Sequence, residues 1–525
     1  MSATASPTAA TSIDVNDPAT GLSVGDVSIF SEREIQEAVR RARAAQPRWA
    51  ATPLRRRIEI LLAFQKLLCE QKEPVANIIT REAGKPRAEA LSTEILVVLD
   101  YVNYLVDAVP AFLRPENVRH TNPIMKLKSG KLFREAYGVI GIVSPWNYPF
   151  SLPTIQTLTA LITGNAVVLK PSELTPWSSL KMERLLHDAG LENDLLQVVT
   201  GDGAVGASLL QSDIQKIVFT GSVATGRRVA QAAASRLLPV VLELGGKDPM
   251  IVLEDVSVDT ASSAAVWGAF MNAGQTCLSV ERCYVHESIY NDFLKACVEK
   301  TSRLRVGKGA DDSSDIGPMI HQRQMKTVQE HVEDAAAGGA RILCGGSPLP
   351  QLGPSFYAPT VLADVTHSMR IMREETFGPV LPVRSFKTED EAVALANDSD
   401  FGLSASIWTS DKARGEALAR RIDAGTVMVN DLIACFGISE APHGGVKASG
   451  IGRTHGRFGL EEMVWPKYVD SDRLPKMKKL WWYGYGPEFR KQMDGFIELL
   501  FSKKLRNRLL GGSKSTRSYL RRRLL

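Results

Sequence analysis

The chain has 525 residues, 44% of them hydrophobic and 23% charged, an ordinary soluble and globular balance. That length exceeds one hydrophobic core, since single cores stop growing near roughly 250 to 300 residues. The net charge of +5 hides an asymmetry: residues 471–525 carry 15 Lys and Arg against 4 Asp and Glu, so a mildly acidic body bears a strongly basic tail.

The first 13 residues are small and polar and are expected to be disordered. They lack the basic and apolar regions of a secretory signal, and no arginine precedes Arg33, which argues against a mitochondrial leader. No run approaches the 18 or so apolar residues of a membrane-spanning helix. The six cysteines are scattered without a CxxC pair, which suits neither a zinc site nor a disulfide framework and fits a reducing, cytoplasmic compartment. No metal site is expected.

Residues 33–68 and 89–113 have helical periodicity. From 138 to 246 short β-branched runs alternate with helix-like sequence: VIGIVSPWNYP, NAVVLKPSE, LLQVVTGDG, KIVFTGS and PVVLELGG. Continuous apolar strands between helices predict a parallel sheet covered on both faces, with ligands beyond the carboxyl ends of the strands. A second alternating region runs to about residue 445 and predicts another α/β domain.

The strand ends hold the candidate chemistry. Asn147 follows the first run with an amide that donates two hydrogen bonds, although a turn asparagine is the simpler reading. Glu173 and Lys170 close the second run, where a carboxylate can accept from ribose hydroxyls. Gly201–Gly206 fits GxGxxG but has no ribose-binding acid at the expected distance, so it reads as a structural loop. Gly221 and Ser222 open a GxxxxG turn that could face a pyrophosphate. Glu243 is a carboxylate inside an apolar stretch, where desolvation raises the pKa and general-base work is plausible. In NAGQTCLSV, Cys277 reads either as a core filler or as a nucleophile.

Together these stretches resemble the aldehyde dehydrogenase superfamily over roughly residues 14–469. SPWNYP, LKPSE, FTGS, LELGGKDP, GQTC and EETFGPV carry the resemblance, and 34 positions separate Glu243 from Cys277. The resemblance implies an α/β, aldehyde dehydrogenase-like fold. It comprises a parallel-sheet dinucleotide-binding domain (14–114 and 137–245), a catalytic α/β domain (246–447) and a small oligomerisation element (115–136 and 448–470). It implies NAD-dependent oxidation of an aldehyde to a carboxylic acid through a thiohemiacetal and a thioester on Cys277. Asn147 would stabilise the oxyanion, and Glu243 would activate the hydrolytic water. Trp146, Lys170, Glu173, Gly221, Ser222, Glu375 and Phe377 match cofactor contacts. Glu173 points to NAD, with NADP as the alternative. A homodimer or homotetramer is implied, and no nucleic-acid partner. A catalytically silent, membrane-associated scaffold is the competing function, against which the intact Cys277, Glu243 and Asn147 speak.

The tail, 471–525, departs from the family pattern. After the aromatic cluster WWYGY, a helix is expected over 488–510 with Phe489, Met493, Phe496, Ile497 and Leu500 on one face. Two readings stay open: peripheral attachment to a membrane surface, which would suit long apolar aldehydes, or docking on the enzyme itself.

Overall fold

The computed structural model describes residues 11–122, 125–476, 478–479 and 481–524. Most of the leader expected to be disordered, residues 1–10, lies outside the described residues, whereas Ser12 and Ile13 already belong to a strand (Ser12–Asn16) paired with Ser23–Ser28. The chain divides into two units: residues up to Pro115 with Phe133–Lys467, and Glu116–Leu132 with Tyr468–Leu525.

In the first unit, α1 (Glu32–Ala51) starts at a capping box in which the Ser31 hydroxyl accepts from the Glu34 N–H and the Glu34 carboxylate accepts from the Ser31 N–H. Its buried Ile35, Ala38, Val39, Ala42, Ala45 and Trp49 recur at the helical period. The helical pattern of 33–68 is interrupted at Thr52 and Pro53, and α2 (Leu54–Glu70) and α3 (Lys72–Ala83) follow. Next comes α4 (Arg87–Phe112), which contains a π-helical turn at Ala90–Ile95. Contrary to the sequence reading, α4 is long and apolar enough to cross a membrane. Its Val98, Tyr101, Val102, Leu105 and Val109 are fully buried among the first core, which accounts for that composition.

The five expected runs form β1 (Val139–Val143), β2 (Ala166–Lys170), β3 (Leu196–Val198), β4 (Lys216–Thr220) and β5 (Val240–Glu243). They are parallel neighbours in the order β5-β4-β1-β2-β3. The order reverses between β1 and β4, so the loops after these two strands flank a crevice of the kind that takes ligands in such sheets. Two helices leave those loops, α5 (Ser151–Ile162) after β1 and α6 (Val223–Ala234) after β4.

The second sheet contains β6 (Asp248–Val252), β7 (Val280–His286), β8 (Arg341–Cys344), β9 (Thr360–Ala363), β10 (Val380–Phe386), β11 (Ser404–Trp408) and β12 (Thr426–Val429). Its order is β8-β9-β10-β7-β6-β11-β12, and only the edge strand β8 runs antiparallel to its neighbour. Between β6 and β7 runs α7 (Val258–Phe270).

The boundary expected at residue 448 moves. Gly450–Ile451 extends the first sheet antiparallel to β5, and Leu460, Met463 and Val464 pack in the first core. Their apolar side chains tie this stretch to the core instead of to a separate element.

In the second unit Glu116–Val118 pairs antiparallel with the strand Lys128–Ala136, which also adjoins Val464–Asp472. The Tyr468 ring seats on Gly130, where a Cβ would meet its carbons at 2.6 Å. The single helix expected over 488–510 is broken at Ser502–Lys504 into α8 (Pro487–Phe501) and α9 (Leu505–Leu524), a helical hairpin.

Candidate active site

The Asn147 loop follows β1 and is fixed by groups far away in sequence. Lys85 and Glu94 form a fully buried pair at 2.7 Å, and the other Glu94 oxygen accepts from the N–H groups of Phe150 and Ser151 at 3.0 and 2.8 Å. Those are orphan donors at the start of α5. The Lys85 ammonium also sits 3.7 Å from the centre of the Tyr148 ring. Asn147 is buried, its amide donates to the Gln275 carbonyl at 3.1 Å, and its own carbonyl accepts from Asn272 at 3.1 Å. The loop after β1 is thereby laced to the segment that precedes Cys277.

That segment is strained. Asn272, Ala273 and Gly274 lie in the left-handed region at φ 54°, 55° and 71°. An alanine there costs about 1–2 kcal/mol, and a Cβ on Gly274 would strike the Gly378 backbone. The conformation is held by Glu89, which accepts from the Asn272 N–H at 3.1 Å, and by Gln275, which accepts from the Ile320 N–H at 2.8 Å. Glu89 and Glu94, both from the helical stretch at 87–112, were not singled out in the sequence. Two carboxylates five positions apart in a polar-apolar helix carry no signal of the loops they reach.

Cys277 stands where two cavities meet. The larger, about 570 Å³, lies among α4, α7 and the loop at 433–438. Leu96, Tyr148, Trp267, Met271, Ile433 and Phe436 are among the mainly apolar side chains that line it. The Tyr148 hydroxyl is 2.9 Å from that of Thr276. The smaller, about 250 Å³, is lined by Trp146, Asn147, Gly221, Ser222, Glu243, Glu375 and Phe377 together with Cys277. Burial, with the carboxylates of Asp248, Glu375 and Glu243, pushes the Cys277 thiol well above the usual thiol range. Cys283, six residues on, is fully buried on β7 and behaves as a core residue.

Glu243 ends β5, and both of its oxygens are buried without a hydrogen-bond partner. Burial raises its pKa well above the ordinary carboxylate value, against an opposing pull from Arg453. His443 Nε2 lies 3.9 Å away, its own pKa driven down to about 4 by burial and Arg453, so it is neutral near pH 7. His443 was not singled out in the sequence.

Glu375 accepts from the Gly246 N–H at 3.0 Å and is raised to about 8, first by burial and then by Glu281. Phe377, at φ 52°, sits edge-on to Trp146 with ring centres 5.4 Å apart. Its backbone is clamped by Glu281, which accepts from the N–H groups of Thr376 and Phe377 at 3.0 and 2.8 Å and pairs with the buried Lys247. Lys247 of LELGGK thus supports the wall of the smaller cavity through Glu281. Lys170 and Glu173 pair with each other at 3.0 Å after β2 and do not line that cavity.

The GxxxxG turn differs from its expectation. The sequence places the helix from Gly226 onward, GRRVAQAAASRL; it starts at Val223, with Ser222 as its N-cap, and Gly226 is required because a Cβ would strike Leu244. In GxGxxG the Asp202 carboxylate accepts from the Ala204 N–H at 2.9 Å and caps the helix Gly203–Gln211, so that loop is structural.

The smaller cavity suits a dinucleotide. It joins the N-terminus of α6, where N–H groups favour a pyrophosphate, to the Trp146–Phe377 aromatic edge beside Cys277. Cys277 thus stands between that crevice and an apolar pocket, with the buried Glu243 carboxyl at hand. Residues 5–469 match the aldehyde dehydrogenase family model. The chain is 41% identical over 494 residues to a 4,4'-diapolycopene aldehyde oxidase of Methylomonas sp, covering 94% of this chain and 92% of the relative. It is 38% identical over 457 residues to a putative NADP(+) succinate-semialdehyde dehydrogenase of Mycolicibacterium smegmatis, covering 87% of this chain and 88% of the relative. The structure of an aldehyde dehydrogenase from Bacillus cereus in complex with NAD+ superposes with a TM-score of 0.84 at 33% identity, covering 88% of this chain and 93% of that one. The chain belongs to the aldehyde dehydrogenase family, whose members oxidise aldehydes to acids with NAD(P).

Proposed function

We propose that Cys277 is the nucleophile, Glu243 the general base for hydrolysis and Asn147 an oxyanion donor. The Cys277 sulfur adds to the aldehyde carbon, and its proton leaves to solvent. The resulting oxyanion accepts from the Asn147 amide and the Cys277 N–H, donors each typically worth about 2.7–4 kcal/mol in such sites. The hydrogen on that carbon and its electron pair would leave to a nicotinamide held beside Cys277, which would supply the hydride acceptor when bound. Glu243 then takes a proton from water, the oxygen adds to the thioester carbon, and the carbon–sulfur bond breaks to release acid and thiolate. One observation carries the reading: Cys277 lines both cavities, and the unpartnered Glu243 carboxyl lies in the smaller of them. Cys277→Ala is expected to lose turnover while cofactor titration stays intact; retained turnover contradicts it.

The cofactor contacts follow the same logic. Ser222 and Gly221 would hold the pyrophosphate at α6, and Glu375 and Phe377 the nicotinamide ribose and ring, with Trp146 alongside. Lys170 and Glu173 would meet the adenosine ribose. NAD is preferred in this reading because a 2′-phosphate would face the Glu173 carboxylate. Glu173→Gln should raise relative use of NADP by on the order of tenfold, about 1.4 kcal/mol; an unchanged ratio contradicts the assignment.

For substrate we infer an apolar, long-chain aldehyde. The larger cavity is built mainly of apolar side chains, and the similar Methylomonas protein is named for an aldehyde of the polyene 4,4'-diapolycopene. We further propose a cytoplasmic homodimer or homotetramer. The free cysteines suit a reducing compartment, and the second unit's sheet exposes Val118, Tyr468 and Val469 as a surface for a second copy. Light scattering on the purified chain tests the assembly, and a monomer would contradict it. Peripheral attachment to a membrane through the tail completes the proposed location.

A further inference from the structure

The tail lies beyond residue 469, where the family match ends. Between 487 and 524 it carries 11 Lys and Arg against 3 Asp and Glu. Its two helices meet through small and polar residues: Gln492, Gly495, Gly511, Ser515 and Ser518 are buried. A Cβ on Gly511 would meet the Gly495 carbonyl at 2.7 Å and the Leu499 nitrogen at 3.0 Å, so the backbones approach closely and neither glycine can be enlarged.

A second set of large apolar side chains points the other way. At 3.6 residues per turn Leu505, Leu509 and Leu520 form a stripe opposite Gly511, Ser515 and Ser518, and Ile497 and Phe501 stand opposite Gln492 and Gly495. Phe501, Leu505 and Leu509 are 75%, 70% and 67% exposed. A helical hairpin in water buries its large apolar side chains in its own seam; here the fully buried seam positions are small or polar, Phe489, Met493, Phe496, Leu499 and Leu500 are half-buried, and Ile497, Phe501, Leu505, Leu509 and Leu520 face outward. That inverted arrangement is the one helices adopt when lipid is the surrounding medium.

Charge identifies the surface. Two of the hairpin's acids are engaged within it: Glu488 accepts from Lys491 at 3.0 Å and Ser518 at 2.9 Å, and Asp494 pairs with Lys514 at 2.8 Å. Lys503, Lys504 and Arg506 lie among the outward apolar residues, at the level where basic side chains meet anionic headgroups. The aromatic run Trp481–Tyr485, largely exposed, adds the amphipathic rings that favour that level. As a helix of 15 residues, α8 is about 22 Å long, short of the roughly 30 Å hydrocarbon core.

We infer that the α8–α9 hairpin binds the anionic surface of a lipid bilayer, its outward apolar residues entering the acyl boundary and its basic residues meeting headgroup phosphates. This deepens the membrane location proposed above and is independent of the catalytic assignment.

The test is flotation of the full-length protein with vesicles of phosphatidylcholine alone or mixed with phosphatidylglycerol. The triple variants Ile497→Ser/Phe501→Ser/Leu505→Ser and Lys503→Glu/Lys504→Glu/Arg506→Glu are run beside it. The unaltered chain should float with the mixed vesicles. The serine variant should partition at least about tenfold less, the consequence of removing three apolar side chains that would enter the acyl boundary. The glutamate variant should lose the preference for phosphatidylglycerol. Both should oxidise a short soluble aldehyde at the unaltered rate, which separates lost binding from lost folding or lost catalysis. The inference is overturned if the full-length protein stays in the dense fraction with mixed vesicles. It is equally overturned if the serine variant floats as well, or if that variant changes molar mass in light scattering, which would make the face a contact between copies.

Discussion

Glu243 is held in an unusual state for a carboxyl group, buried with both oxygens unpartnered and its pKa raised well above the ordinary value. A general base works only when ionised, so steady-state turnover should rise with pH as Glu243 loses its proton. Glu243→Gln should flatten that limb and lower kcat by on the order of 10²-fold or more, while the first burst of reduced cofactor survives. Stopped-flow absorbance checks both, and a lost burst with an unchanged pH profile would contradict the role. At this scale the residues themselves were informative where residue type and strand end coincide, as at Glu243 and Asn147, whereas Cys277, in a loop before β7, stayed open between core filler and nucleophile until the family resemblance was drawn. His443 and Glu281 could not be singled out, because their importance lies in what they adjoin, and nothing in APHGG or SVERC states that.

At the scale of elements the site depends on two clamps. Glu281 holds Lys247 and the backbone of Thr376 and Phe377, so Glu281→Ala leaves a buried ammonium unpaired and should cost about 3–5 kcal/mol. The KM for cofactor should rise as Phe377 is released. Unfolding curves and cofactor titration check this; unaltered values would show that the clamp is dispensable. The left-handed turn before Cys277 is the second clamp, and Gly274→Ala should misplace the thiol because its new Cβ meets the Gly378 backbone. The parallel strands were legible because each is a continuous buried β-branched run. Antiparallel β8 and the short strand at 450–451 were missed, since two to four residues at an edge carry too little pattern. The tail helix was placed correctly at its start, but its break at 502–504 was not seen because Leu505 and Leu509 continue the apolar spacing across it.

Across the whole molecule buried acids set the pH dependence of stability. Glu89 is raised to about 7 and Glu375 to about 8, each first by burial, against an unfolded value near 4.5. Between the two values the folded state binds more protons than the unfolded one, so their contribution to stability falls as pH rises. Buried His443, lowered to about 4, works in the opposite direction, but only up to its unfolded value of 6.5. The melting temperature should therefore decline from about pH 6.5 to 8, and Glu89→Gln should reduce the slope; a rising melting temperature over that window contradicts the account. At this scale composition alone required more than one core, and the alternating runs supplied both sheets. The division into units was less legible, because Leu460, Met463 and Val464 return to the first core from a stretch that reads as peripheral.

The central claim is that the sulfur of Cys277 carries the acyl group and that Glu243 frees it. Intact-protein and peptide mass spectrometry of Glu243→Gln after mixing with NAD and a long-chain aldehyde tests it most directly. The predicted result is one acyl group per chain, located on the peptide containing Cys277 and absent without NAD. An adduct elsewhere, or none while acid still forms, would contradict the account.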